Sequence, residues 1–442
     1  MTLARTGTLI AALSLSATAL ALPAGAQQGP GREGVLSYGT GLDFDFEDGL
    51  SSTTDVGVTL RTRTAVDQFE LRFGTELFGD FTDSGTDDFA FRNRYVNTTF
   101  ARRVANSALN FSAGYTETDL DDDVDTAGPV IIITDTGELA TTRATLGFQT
   151  GIAGPFGLSF DARYRDSNYS NTIDPDLEDE VEIGADVLAR FALSRTLDLR
   201  ARAGISQIDE DDLFGTERQS TFVGVGVGGT NGQGLTFTAD LLFDRSEVTT
   251  TAPVSSSTDD GLGFDIDVSQ ARPDGSAGVR LASRVDDTGR RTEASVLRRF
   301  DRPTGGLSLS LGVVDQEGDD TLRPIGSLAY SRDSGDGQTI SARIGQHAGS
   351  RNGGTVVSTS VDLNYSRDIN GVSGWSAGLG FFATDDLGGG DYDDRTTASL
   401  AYRRDITPEW SMNTGYSFSR DSDGDEANSV FFNVTRDITF GF

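Results

Sequence analysis

From about residue 35 onwards the chain alternates apolar and polar positions, in segments of about ten to fourteen residues separated by turn residues. Trp410, Met412, Thr414, Tyr416 and Phe418 share one phase, and Ser411, Asn413, Gly415 and Ser417 the other. Leu307, Leu309, Leu311 and Val313 alternate with Ser308, Ser310 and Gly312, and Leu235, Phe237, Ala239, Leu241 and Phe243 with Thr236, Thr238 and Asp240. A period of two predicts strands with one apolar and one wet face. Sandwich strands alternate too, but they typically stop after five or six residues, whereas about ten tilted residues cross a bilayer's hydrocarbon. The pattern therefore predicts an all-β chain: a single transmembrane antiparallel β-barrel of about 22 strands, within a range of about 18 to 24.

A second repeat fixes the rims. Tyr330-Ser331-Arg332-Asp333, Tyr365-Ser366-Arg367-Asp368 and Tyr402-Arg403-Arg404-Asp405 each place an aromatic in the apolar phase, an Arg two positions on, and then a turn. An interfacial aromatic girdle with snorkelling arginines has this form. The turns that follow are short, at 406–409, 334–337, 369–374 and 303–306. The alternate connections read as longer and acidic, at 118–137, 168–179, 209–216, 249–260, 385–394 and 421–428. Short turns belong to the periplasmic rim and long loops to the extracellular one, with both termini in the periplasm.

The first 26 residues stand outside this pattern. The run from Leu9 to Leu22 is almost wholly Leu, Ala, Ile, Ser and Thr, and Ala24-Gly25-Ala26 closes it. That is a secretory signal peptide, too short to span a membrane as a helix. Residues 27–34 read as a short periplasmic segment and 35–442 as the barrel. Composition agrees: 54 Gly and 10 Pro suit many strands with small connections. A formal net charge of −32 excludes an electrostatic nucleic-acid binder. No Cys is present, which removes disulfides, thiol catalysis and Cys metal sites.

The last strand carries a resemblance. Phe432, Val434, Ile438, Phe440 and Phe442 share one phase, and this resembles the C-terminal signal of Gram-negative outer-membrane β-barrel proteins. The resemblance implies outer-membrane localisation, a setting of lipid and lipopolysaccharide, insertion by the barrel assembly machinery that reads Phe440 and Phe442, and the option of a homo-oligomer. Arg436 interrupts the apolar phase, so either it reaches the interface or a bulge shifts the register there.

Candidate chemistry is sparse. His347 is the single histidine, and the sequence after it does not match the His-x-Ser spacing of outer-membrane lipases, so no enzyme is expected. Asp421-Ser422-Asp423-Gly424-Asp425 begins like a calcium loop but has Glu426 where Gly is needed and Phe432 where a bidentate Glu is needed; no metal or cofactor is expected. Gly224, Gly226, Gly228 and Gly229 alternate with valines and read as strand glycines facing the lumen. The polar phase of the N-terminal half collects Arg61, Arg63, Arg72, Arg143, Arg163, Arg165, Arg200 and Arg202. Later strands place Asp240, Asp265, Asp267, Asp362 and Asn364 there. These residues either pair into ladders that brace the wall or charge a pore. Asp119, Asp121, Asp122, Asp123 and Asp125 precede the apolar run Val130 to Ile133 in the longest connection, which either folds inward as a constriction loop facing the arginines or extends a strand above the membrane.

The functional expectation is a porin-like channel for passive diffusion of small polar solutes or ions. The alternatives are a partner-dependent exporter barrel, for example for polysaccharide, and a structural or surface-interaction barrel. A TonB-dependent receptor of similar strand number is disfavoured, because strands starting near residue 35 leave no room for an N-terminal plug domain.

Overall fold

A computed structural model describes residues 31–45, 49–81, 88–120, 124–125, 131–132, 137–172, 177–318, 321–351, 354–386, 392–422, 424 and 426–441. The signal peptide, residues 27–30 and Phe442 lie outside them.

The strands run in chain order as β1 (Arg32–Asp45), β2 (Gly49–Arg63), β3 (Asp67–Asp80), β4 (Asp88–Val104), β5 (Ser107–Asp119), β6 (Val124–Asp125), β7 (Ile131–Ile132) and β8 (Glu138–Thr150). Then follow β9 (Phe156–Ser170), β10 (Glu180–Ala192), β11 (Leu197–Glu210), β12 (Thr216–Thr230), β13 (Leu235–Thr251), β14 (Val254–Arg272), β15 (Gly275–Asp286) and β16 (Gly289–Arg302). The last eight are β17 (Gly305–Gln316), β18 (Arg323–Asp333), β19 (Gln338–Arg351), β20 (Gly354–Asn370), β21 (Ser373–Asp386), β22 (Tyr392–Asp405), β23 (Trp410–Asp421) and β24 (Glu426–Phe440). All except the small hairpin β6–β7 join one 22-stranded antiparallel sheet in which each strand pairs with its sequence neighbours. The sheet closes on itself where β1 meets β24, from Gly34↔Phe440 to Asp45↔Ser429. Closure leaves no lipid-facing edge, which a bilayer requires. The first strand starts at Arg32, three residues before the sequence pattern placed it, because Arg32 already pairs with Thr62.

The two faces are inverted relative to a water-soluble fold. Val223, Val225 and Leu241 are more than half exposed, while inward-facing Asp240, Leu242 and Asp244 are at most 4 % exposed. A closed antiparallel barrel with an apolar outer band is an outer-membrane architecture, set in lipid and lipopolysaccharide. At the rim that holds both chain ends, Tyr365 and Trp375 pack at 4.8 Å and Phe156 and Phe191 at 4.9 Å, as the girdle repeat predicted. Arg436 causes no bulge, since its strand keeps an unbroken register on both sides. It lies over the Trp410 ring and reaches Glu409 Oε2 at 3.0 Å in the adjacent turn. Phe440 packs its ring across Gly34 of the first strand, where a Cβ would collide with it.

The turns at the terminal rim are short, as expected. The opposite rim departs from the sequence reading. The span 249–260, taken as a loop, is strand up to a two-residue tip, because β13 and β14 stay paired from Thr251↔Val254 downward. Connections 211–215 and 287–288 are also short. Acidic Ser/Thr-rich segments read as loops by composition, yet alternation without apolar residues still makes strand above the membrane. The segment after β5 is the long one. Leu120, fully buried, packs with Leu139, Tyr169 and Leu177 at its base.

Candidate functional site

The inner wall holds the candidate chemistry, since the alternation that sends valine and phenylalanine to lipid sends every second residue inward. Three groups of side chains stand out.

Near the terminal rim, Arg61 Nε donates to Glu70 Oε2 at 2.7 Å, and Arg72 pairs with the same carboxylate. Arg63, Arg32, Glu33 and Gln68 complete a recess of about 800 Å³. Farther round, Arg299, Arg343, Asp362 and Asn364 line a smaller recess of about 470 Å³ with three serines.

The densest group lies on β9 to β15. Arg163 donates to Glu182 at 2.8 Å, Asp186 at 3.4 Å and Ser206 at 3.1 Å. Asp240 receives Arg202 at 2.9 Å and Arg200 at 3.2 Å, and Arg202 also stands 3.9 Å from Asp265. One strand-step along, Arg284 donates to Asp244 at 3.1 Å. Between these pairs Phe222 presents its ring to Arg202 at 5.7 Å and to Arg284 at 5.0 Å, both within cation–π range. Gly226 lets Asp240 lie flat against β12, for a Cβ there would overlap Asp240 Oδ1 and the Ala239 carbonyl. That is why glycine occupies the lumen phase opposite an aspartate. The buried carboxylates of Asp240 and Asp244, flanked by guanidiniums, form an arc of fixed charge on one side of the lumen.

The predicted arginines therefore separate into groups. Arg61, Arg63 and Arg72 gather near the terminal rim; Arg163, Arg200 and Arg202 join the wide network; Arg143 and Arg165 are cross-strand neighbours, with Arg165 bound to Ser167. Sequence reading missed Glu182, Asp186, Phe222, Asp244 and Arg284. Phe222 had a visible signal, an aromatic in the polar phase of its strand. Arg284 carried the same phase information but no such contrast.

Of the acidic loop, Asp119 pairs with Arg92 at 2.6 Å. Asp121, Asp122 and Asp123 lie outside the described residues, as does the side chain of Asp125. Strand β7 of the small hairpin within that segment lies beside β21 and β22. Asp421 of the calcium-like run is bound to Arg395 through two contacts, 2.6 and 2.9 Å. His347 faces inward opposite Ser358.

No protein-family model and no curated protein sequence matches the chain. Solved structures do match. The FrpB iron transporter of Neisseria meningitidis aligns with TM-score 0.62 and 10 % identity, over 93 % of this chain and 83 % of that one. The ferric enterobactin receptor PfeA of Pseudomonas aeruginosa, as its Q482A mutant with enterobactin, gives TM-score 0.58 at 10 % identity, over 93 % and 82 %. The ferric-catecholate import receptor Fiu of E. coli gives 0.58 at 8 % identity, over 93 % and 82 %. At these identities the likeness is one of fold. It corrects the functional expectation, because the solved barrels that match in size and strand path are an iron transporter and siderophore receptors. The porin-like passive channel is overturned, and the exporter and structural-barrel alternatives do not fit either. The objection to a receptor, drawn from where strands begin, is withdrawn with them.

Proposed function

We propose that the chain forms the barrel of an outer-membrane uptake receptor for an iron chelate, with the rim opposite the chain ends facing outward. The observation that carries this reading is the barrel itself, matched along 93 % of the chain to iron-transporter and siderophore-receptor structures. The arc of Arg163, Arg200, Arg202 and Arg284 supports it, because ferric chelates present oxygen-rich, often anionic surfaces that guanidinium groups and an aromatic face can grip. Barrels of 22 strands in outer-membrane transporters enclose a plugged lumen rather than open water. Within the connection between β5 and β8, the described strand β7 stands beside β21 and β22. Assembly would proceed through the cell's barrel machinery acting on the last strand, with Phe440 and Phe442 as the recognised residues.

The test is equilibrium binding to the folded protein in detergent, using ferric catecholate, hydroxamate and carboxylate chelates as separate probes. One class should bind, and replacing both Arg163 and Arg200 with Ser should weaken it about tenfold or more. Absence of binding by all three classes would overturn the reading.

A further inference from the structure

The rim opposite the chain ends has a step. β12, β13 and β14 rise together, paired as far as Thr216↔Thr250 and Thr251↔Val254. The next hairpin, β15–β16, turns back at Asp286↔Gly289, and β14 meets β15 only from Phe264↔Ser283 downward. β15 still stands beside Gly261, where a Cβ would lie 3.6 Å from Val285; above that the outer side of β14 has no described strand along it. Arg290 caps the foot of this bare stretch by donating Nη1 to the Leu262 carbonyl at 2.7 Å. From Val254 to Asp260 the edge is open, a length of about 23 Å at about 3.3 Å per residue.

The hydrogen-bond phase of the edge follows from its neighbours. Ala271 N–H bonds Gly234 on the β13 side, and the Leu262 carbonyl points to the β15 side. The β13–β14 register is continuous, so odd-numbered residues of β14 are hydrogen-bonded to β13. Val254, Ser256, Thr258 and Asp260 therefore aim their backbone N–H and C=O groups outward. Natural sheets blunt such edges with Lys, Pro or bulges. Here the edge reads Val-Ser-Ser-Ser-Thr-Asp-Asp, with no proline or bulge, and its charges are Asp259 and Asp260 alone.

We infer that this edge is a strand-addition site for an extended, Arg- or Lys-bearing segment of another polypeptide outside the cell. Backbone bonds to Ser256, Thr258 and Asp260 would supply affinity, and the two aspartates, one on each face, would select basic side chains opposite them. On β13, Glu247 stands opposite Thr258, and Arg245, opposite Asp260, pairs with that glutamate at 3.0 Å. A second copy fits worse. Two barrels in one membrane share a two-fold axis along its normal, which sets the two edges parallel and brings each aspartate beside its own copy.

The experiment uses fluorescein-labelled ten-residue peptides of alternating Thr and Val, one carrying two adjacent Arg residues and one carrying two Glu. Anisotropy with folded protein in micelles should show the Arg peptide binding at least tenfold tighter. N-methylation of its alternate amides should remove binding, with the protein itself untouched. The pair Ser256→Pro and Thr258→Pro should do the same while heat-modifiable folding persists, because those two N–H groups bond nothing within the hairpin. Asp259→Asn with Asp260→Asn should abolish the preference for Arg. Absence of binding, binding indifferent to N-methylation and to the proline pair, or a proline-sensitive dimer of the barrel would each overturn the inference.

Discussion

The Arg395–Asp421 pair offers a quantitative test of how the inner wall is held. These residues sit directly opposite each other on β22 and β23, with side chains only 3 % and 9 % exposed and two contacts at 2.6 and 2.9 Å. Arg395→Met keeps most of the aliphatic stem and removes the charge. The Asp421 carboxylate then stays buried without its partner, which costs about 3–5 kcal/mol. Asp421→Leu in the same chain removes the orphan, and replacing both partners by apolar groups is close to neutral. The double variant should therefore recover most of the loss, with a coupling energy of about 2–4 kcal/mol. Guanidinium unfolding in micelles, followed by heat-modifiable mobility and by the fluorescence of Trp375 and Trp410, reads both quantities. A loss of about 3 kcal/mol moves the midpoint by on the order of 0.5–1 M. If the single variant costs less than about 1 kcal/mol, as an exposed pair would, the wall is wet there and the burial argument fails.

Two further outcomes follow from the same wall. Gly226→Val should cost about 1–3 kcal/mol by overpacking and should displace Asp240 from Arg202; unchanged thermal unfolding of the folded band would show that the strand has room to spare. Leu120→Ala should open the base of the segment between β5 and β8 by about 2 kcal/mol, raising hydrogen exchange there about 30-fold while the barrel strands keep their protection. Equal protection in both proteins would mean that the four-residue cluster does not anchor the segment.

The strand pattern was legible because lipid imposes a strict rule on every second residue. Leu307 to Val313 and Trp410 to Phe418 could be assigned to faces, and strand number to about 22, from alternation alone. The rule lapses above the membrane, where both faces meet water. The Ser/Thr stretch 254–260 therefore looked like a loop although it is strand. The luminal arginines were legible one by one, but their partners were not. Arg202 and Asp240 lie 38 positions apart and meet only through the β11–β12–β13 register. Function was the least legible of all. Charge along a wall is common to many barrels, and strand number acquires meaning only beside other barrels of that size.

The seam between β1 and β24 has a kinetic consequence. Every other pairing in the sheet joins consecutive strands and can form as a hairpin soon after its residues are available. The seam joins Gly34 to Phe440, the most distant pairing in the chain, and so bears the whole loop-closure entropy in one step. Until that step, an open sheet of 22 strands carries two bare edges, and each is competent to pair with the wrong chain. Whatever accelerates the folding of this protein must act on those two edges, by lending a temporary strand to one until the other arrives.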